Sequence, residues 1–161
     1  MAANATSYQV SPSEKRLALV FILTGFAHLL IGILMGLLQG LEHMGINLIP
    51  SMPVIQTYYQ ALSIHGVFNV LLFTSFFIVG FLGYMASYGF ERPLASVRLG
   101  WVTYWVMLVG ALLTDWALLA NRATVLYTSY APLKAHPAYY IGLALVVVGT
   151  LLLLLNLVRT Y

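Results

Sequence analysis

Cysteine is absent from all 161 residues, which excludes disulfides, thiolate metal centres and thioether attachment of any prosthetic group. Charge is nearly as scarce. Asp, Glu, Lys and Arg make up 7% of the chain and hydrophobic residues 61%, whereas about a quarter of an ordinary soluble domain is charged. With a mean hydropathy of +0.93, the sequence is that of an integral membrane protein. Its net charge of +3 implies no nucleic-acid partner, because basic residues in such a chain mark the sidedness of loops. Residues 1–9 lack a basic segment leading into a cleavable apolar core. Residues 1–14 therefore read as a polar cytoplasmic tail.

Four stretches are apolar and long enough to cross a bilayer, which takes about 20 residues: 17–41, 58–88, 97–120 and 138–158. Pro50, Pro53 and Asn47 make 42–57 a connecting loop, 89–93 is a short charged turn, and 121–137 is a second loop. With the N-terminus inside, Lys15, Arg16, Arg92, Arg98 and Arg159 are cytoplasmic and only Arg122 and Lys134 lie outside, the expected bias. The expected fold is all-α: a single four-transmembrane-helix up-down bundle over 1–161, with both termini cytoplasmic. The fourth span, apolar almost throughout, reads as structural and lipid-facing.

Polar groups inside the spans are few, and each needs a reason. A titratable side chain in hydrocarbon is costly unless a hydrogen bond, a counter-charge or a metal satisfies it. His28 sits in a row of glycines, Gly25, Gly32, Gly36 and Gly40, whose small face suits either a neighbouring helix or a flat macrocycle. His65 lies about 12 Å and Asp115 about 9 Å below the outer ends of their spans, and His28 about 16 Å. These depths overlap, so the three are expected to share one layer. His43 reads as a solvated loop residue.

The residues around His65 carry more than depth. Tyr58-Tyr59-Gln60-x-Leu62-x-x-His65-Gly66-Val67-x-Asn69, followed by Phe73-Thr74, resembles the second helix of haem-copper oxidase subunit I, in particular the B-type branch. Leu118-Leu119-Ala120-Asn121-x-Ala123-Thr124-Val125-Leu126-Tyr127-Thr128-x-Tyr130-x-Pro132-Leu133-Lys134-x-His136 is similar to the loop after the third helix of the same proteins. The resemblance implies that His65 is an axial ligand of a low-spin haem b iron. It also implies propionates directed outward, where Arg122, Lys134, His136, Tyr127 and Tyr130 stand; Lys134 is as readily an ordinary interfacial residue. Only the first four helices of the family are matched. The family's second axial histidine, proximal histidine and copper-site residues lie on later helices. No copper and no complete oxygen reduction is therefore expected of this chain alone.

His28 departs from the family, whose members carry a small apolar residue there. It is the candidate for the missing ligand, giving a bis-histidine iron between the first two spans. Asp115 then orients one imidazole, or else pairs with Arg122. Three functions follow. A haem b protein serves electron transfer with a redox partner if both histidines ligate, or binds O₂, NO or CO if one position is open. A split subunit works within an oxidase-like complex. A structural bundle uses its histidines only for hydrogen bonds. A homodimer is expected, because four helices leave little protein around a macrocycle.

Overall fold

The computed structural model describes residues 8–161. Residues 1–7 of the expected tail lie outside it. Four long helices cover most of the chain: Pro12–His43, Tyr58–Gly89, Val97–Leu119 and Pro137–Thr160, each long and apolar enough to cross a membrane. Among the described residues there is no strand. The all-α four-helix fold expected of the sequence is the fold observed.

Each helix starts on a residue chosen for the task. Ser11 accepts from the Glu14 amide and Glu14 returns a carboxylate to the Ser11 N–H, a capping box followed by Pro12 in the first turn. Thr57, Ser96 and His136 cap the other three. The first helix therefore begins at Pro12, inside the segment expected to be a polar tail. Glu14 is 2% exposed: one carboxylate oxygen accepts from Ser87 Oγ at 2.8 Å and from the Leu94 amide at 2.7 Å. Those bonds make burial of the charge tolerable and tie the first helix to the turn that joins the second and third.

The first helix packs chiefly on the second and the third on the fourth, so the bundle is built from two closely packed pairs. At the crossing of the third and fourth, a Cβ on Gly110 would fall within 2.5 Å of the Gly142 carbonyl oxygen, so only glycine allows the backbones to approach. The fourth helix is more than lipid-facing. It buries Tyr139, Val146, Leu153 and Asn156, and Asn156 bonds both the amide of Ser96 (3.0 Å) and its carbonyl (2.8 Å). Together with Thr160, which accepts from Ala95, it locks the C-terminal end beside the turn that Glu14 holds. Both ends of the described chain are thus on one side of the bundle.

Candidate functional site

His65 is placed by its own helix and by the loop above it. Gln60, fully buried, donates from Nε2 to the Leu118 carbonyl at 3.0 Å and accepts the Gln56 amide at 2.7 Å. The outer ends of the second and third helices are thereby joined. One turn on, Ser63 Oγ accepts from the Leu126 amide at 2.9 Å, which pins the 120–136 loop beside His65. Immediately after Gly66 the helix widens into a π segment, Val67–Phe73, a distortion found frequently at functional sites.

The imidazole itself is oriented from the first helix. His65 Nδ1 lies 2.8 Å from the Gly32 carbonyl oxygen. A carbonyl only accepts, so Nδ1 carries the proton and Nε2 keeps its lone pair. Asn69 Nδ2 is 3.1 Å from the same nitrogen while its Oδ1 is buried without a partner. Turning the amide over lets Oδ1 share the Nδ1–H with the Gly32 carbonyl. The ring lies flat enough on the first helix that a Cβ at Gly36 would be 2.6 Å from His65 Cε1, so the glycine row serves this histidine. His65 lines an open apolar groove with Leu62, Gly66, Val70, Leu126 and Tyr127. A lone pair on Nε2, a tautomer fixed through Nδ1 and apolar walls are what an axial haem ligand requires; the residues present fit the group.

His28 is engaged elsewhere. It is 8% exposed; Nδ1 donates to the Thr24 carbonyl at 2.8 Å and Nε2 is 3.2 Å from Asp115 Oδ2. Phe68 meets its ring edge-on at 5.0 Å and Phe76 stacks at 5.9 Å. His65 contacts Gly32 and Gly36, which places it about 6–12 Å further along the first helix. The single polar layer is therefore divided, with His28 and Asp115 together and His65 apart. Both nitrogens of His28 are in use, so as arranged here it offers no lone pair to an iron. Asp115 pairs with His28 and not with Arg122.

The expected outer-face residues are scattered around the rim. Tyr127 lines the His65 groove, and Tyr130 is 71% exposed. Arg122 lies over the Trp116 ring, 5.5 Å from its centre. His136 caps the fourth helix by accepting the Ala138 amide at 3.2 Å. Lys134 is exposed. Neither Arg122 nor Lys134 has an acidic partner among the described residues. Gln60, Ser63 and Glu14 were missed as positioning residues, although a polar residue inside an apolar span was signal enough for each.

Residues 16–161 match the family described as cytochrome c and quinol oxidase polypeptide I. The chain belongs to that family. Among its relatives, cytochrome c oxidase subunit 1 of Thermus thermophilus is 37% identical over 148 residues, covering 89% of this chain and 26% of that protein. Heme-copper oxidase subunit I+III of Aeropyrum pernix is 30% identical over 128 residues, 76% of this chain and 15% of that one. A solved heme-copper terminal oxidase dimer superposes with a TM-score of 0.83 at 39% identity, over 89% of this chain and 24% of its own. This polypeptide I chain spans about a quarter of the length of its Thermus relative and of that solved chain. The family resemblance read from the two motifs is borne out, and with it an integral membrane protein of haem-binding kin.

Proposed function

We propose that this four-helix unit binds haem b, with His65 Nε2 as its axial ligand to the iron. The observation that carries the reading is the bond from His65 Nδ1 to the Gly32 carbonyl, 2.8 Å long, which leaves Nε2 as the free nitrogen of a ring fixed against the first helix. Arg122 and Lys134 at the outer rim are the cations suited to propionates, and Tyr127 walls the same groove. A bound haem supplies one-electron redox chemistry or an open coordination position for a diatomic gas. The chain's part is to hold the ring, exclude water with Leu62, Val70 and Leu126, and set the tautomer.

His28 is given no iron bond in this reading, because its two nitrogens serve Thr24 and Asp115. The chain then supplies one axial ligand. Electron transfer is the role if another protein group fills the opposite position, and O₂, NO or CO binding if none does. A unit without copper of its own is part of this reading. A second reading is favoured by the fraction of its relatives that the chain spans: the unit works joined to the remaining helices of the family fold, in an oxidase-like complex or across a homodimer. In this reading the membrane is a prokaryotic cytoplasmic one, in keeping with the bacterial relative, and both termini lie inside, in keeping with the bias of the basic residues.

The test is His65→Ala in the purified full chain, with iron, copper and haem quantified beside an absorption spectrum. Haem content should fall at least tenfold while membrane insertion persists. Full haem content with an unchanged spectrum sinks the assignment, and one copper per chain overturns the copper-free reading.

A further inference from the structure

We propose that His28 and Asp115 form a proton-binding pair inside the bundle, a site that takes up and releases a proton independently of any haem. Two observations carry this. His28 Nδ1 is committed to the Thr24 carbonyl, so the proton between Nε2 and Asp115 Oδ2, 3.2 Å apart, is held jointly by the two groups. Asp115 Oδ1 is buried and has no hydrogen-bond partner, an acceptor without a donor, which native interiors rarely leave unused.

The surroundings isolate the pair. From the second helix the rings of Phe68 and Phe76 lie against His28. From the third helix the charged group is Asp115 itself, and the other titratable group is Tyr104, whose hydroxyl bonds Thr24 Oγ1 at 3.1 Å. The first helix adds no further charge at this level. Asp115 stands four residues, about 6 Å, from the end of its helix at Leu119, a short path for a proton from the aqueous side. In the uptake step a hydronium ion gives up one proton: its O–H bond breaks, an O–H bond forms at Oδ1, a water molecule is released, and the pair passes from net neutral to a single positive charge. In an apolar layer that change is weakly screened, and it occurs one helical turn from the Gly32 carbonyl that orients His65.

Asp115 is the sole aspartate in the sequence, so ¹³C-carboxyl aspartate labelling of the wild-type chain in lipid vesicles reports it alone. The expected result is one signal that moves between carboxylate and carboxylic acid over roughly pH 4–8 and shifts in D₂O. His28→Gln should move that midpoint by about one unit or more. If that variant fails to insert, ¹⁵N-histidine labelling of the wild type must show a ring titrating at the same midpoint. A carboxyl signal fixed throughout the range overturns the proposal. So does one that titrates identically in His28→Gln, or without any histidine following it.

Discussion

Gly36→Ala is the substitution that examines most directly how the first helix holds His65. A Cβ at this position would lie 2.6 Å from His65 Cε1 and 2.7 Å from Nδ1, whereas carbon atoms rest at about 3.5–4.0 Å. The ring must therefore retreat by about 1 Å. Its bond to the Gly32 carbonyl, now 2.8 Å, would pass the ~3.2 Å at which such bonds fade. Losing it costs about 0.5–1.5 kcal/mol, and the forced repacking about 1–3 kcal/mol. A ligand that loses its orienting partner weakens its metal site by about 10–100-fold, so haem titrated into the purified variant should bind weaker by that factor. Gly40→Ala is the control, since a Cβ there meets nothing within 4 Å. Both variants gain the same helix propensity, about 1 kcal/mol, so the difference between them isolates the contact with His65. Equal haem affinity in Gly36→Ala, Gly40→Ala and wild type would refute the reasoning.

Two further substitutions address the positioning residues. Glu14→Ala removes the acceptor for Ser87 Oγ and leaves the buried Leu94 amide unpaired; unfolding in detergent should show a loss of about 2–3 kcal/mol, and an unchanged midpoint would mean the carboxylate is not a tie. Gln60→Ala strips the bond to the Leu118 carbonyl and should cost about 1–3 kcal/mol while speeding proteolysis within the 120–136 loop.

What could be read in the sequence was what depends on local pattern. Four apolar runs became four helices, the second and third starting at the residue expected and the fourth one residue earlier, because a run long enough to cross a bilayer is legible from its length and composition. The start at Pro12 was hidden because Glu14, Lys15 and Arg16 read as solvent-facing charge. Burial of Glu14 depends on Ser87 and Leu94, more than 70 residues away, and no local pattern carries that information. Asn156 is similar: one amide in a run of leucines and valines looks lipid-facing until Ser96 is seen to need both its amide and its carbonyl satisfied.

The two histidines of the first and second helices show why depth alone could not assign their roles. Estimates from helix rise put them in one layer, and a single iron between them followed. Depth fixes one coordinate out of three, and the bonds of each ring fix the rest. His28 is the residue whose two nitrogens both find partners within the bundle, a backbone carbonyl one turn back and a carboxylate on the third helix; burial without a metal is then affordable. His65 has one nitrogen bound to Gly32 and the other without a partner among the described residues, on a groove otherwise lined by apolar groups and Tyr127. An imidazole nitrogen left in that position in hydrocarbon lacks the compensation that His28 has. In the proposed reading the need for a ligand falls on His65, and the need for a counter-charge falls on His28.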